Sequence, residues 1–207
     1  MKHMHIGIDF DNTLAHYDHV IRLIAFEEGW INDSNKGNKR TIRDEIRKLP
    51  DGEQKWTQLQ AEIYGPRMGE AKLFDGVSNF MTECILRGVN VSIISHKTQF
   101  AAAEPDGTDL RKAALVWMEQ QDFFSSLGFG LSHENVHFAK SRAEKCQLIS
   151  SLECQFFIDD LPELFSDPKY PSHVQAILLD PNLRQKMEDG ILACCSWQEI
   201  KKVIFYG

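Results

Sequence analysis

The sequence predicts an α/β fold, a parallel sheet with helices on both faces and a small helical insertion after the first strand. Three observations predict it. Short apolar runs that end in polar residues recur along the chain, amphipathic helical patterns separate them, and one long helical stretch at 15–72 interrupts the alternation. Strands that alternate with helices of this length form parallel sheets joined by right-handed crossovers.

The first elements set the division of the chain. Residues 5–9 are short and β-prone, and a loop rich in turn-forming residues follows at 10–13. Residues 15–72 then carry helical patterns on both sides of a polar break at 32–38. We therefore expect residues 1–14 and 73–207 to form a core and residues 15–72 to form an inserted helical unit.

The rest of the chain continues the alternation. The predicted helices begin near residues 77, 109, 141 and 196, a loop occupies 100–107, and the predicted strands lie at 89–94, 135–138, 155–158 and 174–179. Two of these helices open on a Ser-x-x-Glu pattern, at Ser141 and Ser196. That pattern is a capping box, in which the serine oxygen accepts from an early amide while the glutamate reaches back.

Composition and charge exclude some classes of protein function. Of the 207 residues, 43% are hydrophobic and 26% charged, as in folded globular proteins. An excess of 30 acidic over 23 basic side chains gives a formal charge of −7, which disfavours a protein that coats nucleic acid. No apolar run approaches the roughly 20 residues of a membrane span, so no membrane partner is expected. Five cysteines without a CxxC pair predict a reducing compartment, and we expect a cytoplasmic protein.

Polar side chains follow three of the predicted strands. Asp9 and Asp11 come after the first, Ser95 after the strand at 89–94, and Asp159 with Asp160 after the strand at 155–158. In parallel sheets the ligand crevice lies beyond the carboxyl ends of the strands, so these groups should converge. Converging carboxylates repel each other unless a hard cation with oxygen ligands, most simply Mg²⁺, lies among them. The cation would also allow an anion such as phosphate to enter.

These residues resemble the motifs of the haloacid dehalogenase (HAD) superfamily, phosphatase type, and the resemblance covers nearly the whole chain. The first motif, Asp-x-Asp-x-Thr after a strand, matches Asp9 to Thr13. The second, a strand ending in Ser or Thr, matches Ser95, and the fourth, a strand ending in two acids, matches Asp159 and Asp160. The third is a lysine near a helix start, either Lys140 or Lys145. We favour Lys145 because the capping box places it in the first helical turn.

The resemblance implies a Rossmann-like three-layer core, a C1-type helical cap at 15–72 and a role for each motif residue. Asp9 would attack the phosphoryl group to give an aspartyl-phosphate. Asp11 would protonate the leaving group and then deprotonate the hydrolytic water. Ser95 and the motif lysine would hold phosphoryl oxygens, and Mg²⁺ would bind Asp9, the Asp11 backbone carbonyl and the fourth-motif acid.

Two details of the site stay open at this point. Asp160 aligns with the acid of Gly-Asp variants and is favoured as the direct metal ligand. Asp159 would then contribute indirectly, through a water molecule or by contacting a direct ligand. His96 and Lys97 follow Ser95 and are candidate substrate-binding residues.

The implied function is a Mg²⁺-dependent phosphatase acting on a small phosphorylated metabolite. The acid at position 11 favours phosphate monoester chemistry, since superfamily dehalogenases lack it. A phosphomutase or phosphotransferase using the same aspartyl-phosphate is one alternative, and a non-catalytic phosphate-binding scaffold on the same fold is another.

Overall fold

The computed structural model describes residues 4–32, 37–101, 107–182 and 190–207. The polar break at 32–38 and the loop at 100–107 therefore fall partly outside the described residues. The helices are α1 (Asp18–Glu27), α2 (Lys39–Ile46), α3 (Gly52–Tyr64), α4 (Val77–Leu86), α5 (Leu110–Gln120), α6 (Arg142–Ser151), α7 (Pro162–Phe165) and α8 (Trp197–Tyr206). Short 3₁₀ helices lie at Met68–Glu70 and His133–Asn135.

The described strands form one six-stranded parallel sheet and one two-stranded sheet. They are β1 (His5–Ile8), β2 (Ala15–His16), β3 (Lys72–Leu73), β4 (Asn90–His96), β5 (Val136–Ala139), β6 (Phe156–Asp159), β7 (Gln175–Leu179) and β8 (Ile191–Cys194). The large sheet has the order β5-β4-β1-β6-β7-β8, and each of its pairs is parallel. The predicted fold class is confirmed.

The position of β1 at the centre of the sheet decides where the site forms. Ile8, its last residue, is level with Ile93 of β4 on one side and with Ile158 of β6 on the other. The residues that follow these positions therefore emerge side by side at the carboxyl edge. This neighbourhood was expected from the general rule for parallel sheets, but the strand order that produces it is a property of the folded chain.

Helices cover the sheet and fix its core. Helix α6 packs against β4 and β5, and α8 packs against β7 and β8. Phe157 on β6 is fully buried among the residues of α6, and a side chain at Gly7 on β1 would bring a Cβ within 2.6 Å of its ring. Glycine at position 7 is therefore required by the close approach of Phe157, whose burial contributes about 2–3 kcal/mol.

Strand β8 was not predicted from the sequence. Ile191–Cys194 is four residues long at the edge of the sheet, and it pairs in parallel with β7 from Ala176 to Leu179. Such a short run has too few residues to show a period, and β7 supplies its hydrogen bonds.

Both predicted capping sites begin helices, with one difference of detail. The Ser141 hydroxyl accepts from the Glu144 amide at 3.1 Å, as expected. The Glu144 carboxylate reaches one residue further back than a capping box requires and accepts from the Lys140 amide at 2.7 Å. The helix that follows Ser196 repeats this arrangement. The first turn of α6, which carries Lys145, is thereby fixed.

The chain divides into two compact units. Unit 1 contains Met1–Leu14, Leu73–Lys97 and Asp122–Gly207, and unit 2 contains Ala15–Lys72 and Thr98–Gln121. The structure differs from the expected division in the second segment of unit 2, which the sequence analysis assigned to the core.

Helix α5 joins unit 2 because its apolar side is buried there. It packs against α3 and the 3₁₀ helix at Met68–Glu70. The Trp117 side chain is 1% exposed, and its indole N–H donates to the Ala71 carbonyl at 2.9 Å. Within unit 2, helices α1, α2 and α3 also pack against one another. Helix-forming periodicity alone gives no information about which unit a helix joins.

All five cysteines are free; four are buried, and Cys195 is exposed. Burial raises the pKa of Cys84 to about 12 and that of Cys154 and Cys194 to about 11, so these thiols stay protonated at neutral pH. Among the described residues, no helix has both the length and the apolar character needed to cross a bilayer.

Candidate active site

Asp9 lies at the centre of the candidate site, directly after β1. Its amide donates to the Ile158 carbonyl at 2.9 Å, which extends the β1–β6 pairing by one residue, and Asp9 is only 6% exposed. Alternate residues of a strand share a face, so Asp9 lies on the face of Gly7, against which Phe157 packs. Asp159, the next residue of β6 after Ile158, lies on the same face. The register of two strands thus brings two buried carboxylates together.

Lys145 bridges these two carboxylates. It is 3% exposed, and its Nζ lies 2.5 Å from Asp9 Oδ1 and 2.6 Å from Asp159 Oδ2. The Ser141 cap fixes the start of α6, so the Lys145 side chain projects from the first turn of the helix. Lys140, the alternative that the sequence left open, is exposed. The structure therefore brings Lys145 to the candidate nucleophile.

The electrostatics of this cluster are strongly perturbed. Burial raises the pKa of Asp9 to about 7, and the negative charge of Asp159 adds to this effect while the ammonium of Lys145 opposes it. Burial disfavours the ammonium of Lys145, yet the nearby carboxylates of Asp159 and Asp9 keep the pKa of that lysine above its usual range. Perturbed groups of this kind are typical of active sites, although buried ion pairs in general show them.

The two acids at the end of β6, Asp159 as its last residue and Asp160 directly after it, have different surroundings. Asp159 is fully buried; its Oδ2 accepts from Lys145, and its Oδ1 accepts from the Leu161 amide at 2.9 Å. Asp160 is partly exposed. Oxygens of Asp9, Asp159 and Asp160 all lie within 4.8 Å of one another. Of the three acids, Asp160 is the most exposed and therefore the most accessible to a cation from solvent.

A hard divalent cation fits this donor set. The three grouped side chains offer only carboxylate oxygens, the ligands that Mg²⁺ prefers. Counting Asp11 as well, the site holds four carboxyl groups and two ammonium groups, Lys145 between Asp9 and Asp159 and Lys97 beside Asp11. The site therefore carries an excess of two formal negative charges, which one Mg²⁺ would balance.

Asp11 is held by a second lysine. Its carboxylate oxygens lie 2.9 and 3.1 Å from Nζ of Lys97, which is itself buried. The same Nζ lies 5.6 Å from the centre of the buried Phe10 ring. Sequence analysis assigned Lys97 to substrate binding, but in the structure its ammonium faces a carboxylate of the protein.

The loop that carries Asp11 is fixed by contacts that the sequence analysis did not identify. Asn12 has φ of 61°, a left-handed conformation that asparagine tolerates better than most residues, and it turns the chain back. Thr13 is fully buried, its hydroxyl lies 3.4 Å from Asp9 Oδ2, and its carbonyl accepts from the Trp197 indole at 3.1 Å. Trp197 is 184 residues away, so no local pattern could have revealed this contact.

The two other predicted residues lie at the end of β4. Ser95 is 1% exposed and sits two residues beyond Ile93, the partner of Ile8, so it lies beside the loop that follows β1. His96 is exposed, and strand alternation directs its side chain to the face opposite that of Ser95. A role for either residue in substrate binding remains a prediction.

A pocket at the opposite edge of the sheet has a different character. Its volume is about 540 Å³, and it is lined at the amino ends of the strands by residues that include His5, Asn90, Ser92 and His137. The described residues that line it include no lysine or arginine. A phosphate ester would find no cationic partner there, so the carboxyl edge is the candidate active site.

One prediction distinguishes the roles of the two acids at the end of β6, Asp159 and Asp160. Replacing Asp160 with asparagine should weaken Mg²⁺ binding by at least about 10-fold, because the remaining cluster loses its most accessible carboxylate. Isothermal titration of the protein with MgCl₂ measures this. Asp159→Asn is the matched control, expected to lower the unfolding free energy more than Asp160→Asn because Asp159 is fully buried and Asp160 is partly exposed. Unchanged Mg²⁺ affinity in Asp160→Asn would contradict the assignment.

Comparisons with known proteins identify the fold. No protein-family model matches the sequence, and no curated protein matches it either. Solved structures do match over nearly the whole chain. A haloacid dehalogenase-like hydrolase from Burkholderia xenovorans LB400 is similar with a TM-score of 0.55, at 11% identity, over 97% of this chain and 99% of that chain. The fold is that of the haloacid dehalogenase-like hydrolases.

Two further structures with the HAD fold show its range. The HAD-hydrolase YfnB from Bacillus subtilis, bound to magnesium, has a TM-score of 0.56 at 12% identity, over 99% of this chain and 100% of that one. A dehalogenase with an intermediate complex has a TM-score of 0.58 at 10% identity, covering 99% and 98%. At these identities the likeness shows the fold alone, so the chemistry must be argued from the residues of this site.

Proposed function

We propose that the protein is a Mg²⁺-dependent phosphatase that hydrolyses a small phosphorylated metabolite through an aspartyl-phosphate on Asp9. The observation that carries the proposal is the meeting of Asp9, Asp11, Ser95 and Lys145 at one edge of the sheet, with Asp160 in the adjoining acidic group. Asp9 and Asp11 are close in the sequence, whereas the other residues reach the site only through the fold. Their arrangement meets the needs of a nucleophile, a proton donor and phosphate ligands.

The proposed first step forms a bond between a carboxylate oxygen of Asp9 and phosphorus. The bond from phosphorus to the leaving oxygen breaks, and the leaving oxygen takes a proton from the Asp11 carboxyl group. Lys145 and Ser95 would hold phosphoryl oxygens as negative charge builds up on them. Bound Mg²⁺, held by Asp9 and Asp160, would reduce the repulsion between the Asp9 carboxylate and an anionic phosphate ester.

The second step hydrolyses the aspartyl-phosphate. Asp11, now ionised, takes a proton from water, the water oxygen bonds to phosphorus, and the bond to Asp9 breaks to release inorganic phosphate. Asp11 thereby regains the proton it gave away. Two acids that are two positions apart in the chain provide the two roles, and they have different partners: Lys145 for Asp9 and Lys97 for Asp11.

Asp11 also supports phosphate chemistry over dehalogenation. A dehalogenase expels halide, which needs no proton, whereas an alkoxide leaving group does. A second carboxyl group two residues after the nucleophile can supply that proton, and here it lies against the buried ammonium of Lys97. The fold alone does not choose between the two reactions, since one of the similar structures is a dehalogenase.

We also place the protein in a reducing compartment such as the cytoplasm. The support is its five free cysteines, four of them buried with no disulfide formed. The helices of residues 15–72 are proposed to act as a cap that contributes to substrate choice, and helix α5 belongs to the same compact unit.

The activity itself is the direct test. Purified protein should hydrolyse p-nitrophenyl phosphate when MgCl₂ is present, and excess EDTA should remove the activity reversibly. A panel of phosphorylated metabolites should then identify a better substrate. Release of a rearranged or transferred phosphate ester in place of inorganic phosphate would instead indicate a mutase or phosphotransferase. Phosphate binding with no turnover across the panel would indicate a binding scaffold and overturn the proposal.

A further inference from the structure

Lys97 makes a contact whose geometry suggests a role other than substrate binding. Its side chain is 3% exposed and its Nζ lies within 3.1 Å of both oxygens of Asp11. The two residues are 86 positions apart and belong to different segments, the loop after β1 and the end of β4. The ion pair therefore links the loop after β1 to the residues at the end of β4.

The position of this lysine is determined by the fold. Phe10 is fully buried, and its ring lies 5.6 Å from the ammonium, a distance at which a cation is attracted to an aromatic face. A buried ammonium needs a compensating charge, which Asp11 provides. With one cation against both carboxylate oxygens, rotation of the Asp11 side chain is restrained.

Asp11 depends on such a restraint. It precedes Asn12, whose left-handed backbone turns the chain immediately afterwards, and its side chain is 20% exposed, in contrast to that of Asp9. A proton-transferring group must lie within hydrogen-bond reach of the reacting oxygen, and an error of about 1 Å can lower the rate about 100-fold.

We propose that Lys97 is a positioning residue, which holds the Asp11 carboxyl group where it exchanges protons with the leaving group and with water. This inference rests on the proposed phosphatase function and deepens it. It replaces the role assigned to Lys97 from sequence, direct binding of the phosphate ester. The two roles differ in one respect: a positioning residue acts only through Asp11, whereas a phosphate ligand acts whether or not Asp11 is present.

A double-mutant cycle distinguishes these roles. With p-nitrophenyl phosphate and MgCl₂, Lys97→Met should lower kcat by about 10–100-fold and change KM by less than about 3-fold. In an Asp11→Asn background, the same change at Lys97 should have little further effect on kcat. Lys97→Arg, which keeps the charge against the carboxylate, should recover part of the loss. The exposed Lys169→Met is the matched control, with unchanged kinetics.

A binding measurement adds a readout that does not depend on turnover. Inorganic phosphate should bind wild type and Lys97→Met with affinities that agree within about 3-fold, measured by isothermal titration in the presence of MgCl₂. A loss of 10-fold or more in phosphate affinity, or an equal loss of kcat with and without Asp11, would overturn the inference and restore direct substrate binding. Wild-type protein that hydrolyses no phosphate ester would instead overturn the proposed function, so the two failures are distinguishable.

Discussion

Replacing Asp9 with asparagine should reduce phosphate ester hydrolysis by at least about 10⁴-fold, because the amide cannot form the aspartyl-phosphate. The side chain keeps its shape, so the fold and the neighbouring ion pair between Lys145 and Asp159 should persist. The measurement is kcat with p-nitrophenyl phosphate and MgCl₂ for the variant and wild type. The exposed Asp75→Asn, also in unit 1, is the matched control and should retain full activity.

The same variant should change how stability depends on pH. The pKa of Asp9 is about 7 in the folded protein and near 3.8 when the chain is unfolded, so between these values the folded state binds more protons. Wild-type stability should therefore fall as pH rises through this window, by an amount on the order of a few kcal/mol. Asparagine does not titrate, so the variant should gain stability relative to wild type as pH rises.

Urea unfolding in EDTA at pH 5 and pH 8 tests this dependence. The stability difference between Asp9→Asn and wild type should be more favourable to the variant at pH 8. An equal difference at both values would show that Asp9 is ionised in the folded protein throughout the range. Substantial turnover by the variant would show that Asp9 is not the nucleophile.

Of the substitutions proposed for this site, Lys145→Met should cause the largest decrease in the free energy of unfolding. The change leaves the buried carboxylates of Asp9 and Asp159 facing each other without the ammonium that joins them. Breaking a buried ion pair from one side typically costs about 3–5 kcal/mol. Turnover should also fall, by about 100-fold or more, because a charge that stabilises the phosphoryl group is lost. Thermal and urea unfolding measure the first effect and p-nitrophenyl phosphate hydrolysis the second.

Two further variants test whether the effects of Lys145→Met arise from its ion pairs and whether Lys145 is the site lysine. Adding Asp159→Asn to Lys145→Met removes one of the opposed charges and should recover part of the lost stability, while the two single changes should not be additive. Lys140→Met alters the exposed lysine five residues earlier and should leave both stability and activity near wild type. A large loss of activity in Lys140→Met, with little in Lys145→Met, would reverse the choice between the two lysines.

Much of the candidate site was predictable from local sequence because its residues stand at the ends of strands. A short apolar run stopped by acids, as at Asp9 and at Asp159, indicates both the strand and the edge where its side chains emerge. The Ser141 cap predicted the first turn of α6 and so favoured Lys145, which the structure brings to Asp9. Local sequence carries these predictions because caps and strand ends depend on neighbouring residues.

Other features depended on partners far away in the chain. Sequence alone predicted a helix at residues 109–121 but could not assign it to the helical unit, because the burial of Trp117 against Ala71 is a long-range contact. Strand β8 was missed since a four-residue edge strand is stabilised by its neighbour. The anchoring of Thr13 by Trp197 had no local signal for the same reason.

The sequence by itself determined the fold class, the motif positions and the kinds of charged group in the site. Only the tertiary structure decided how those groups pair. The register of β1 with β6 buries Asp159 against Lys145, while the next residue, Asp160, is partly exposed. Lys97, directly after β4, lies against Asp11. The physical reason is that ion pairs form between the charged groups that burial brings together. Strand order and register decide which groups those are, and the spacing of motifs does not encode either of them.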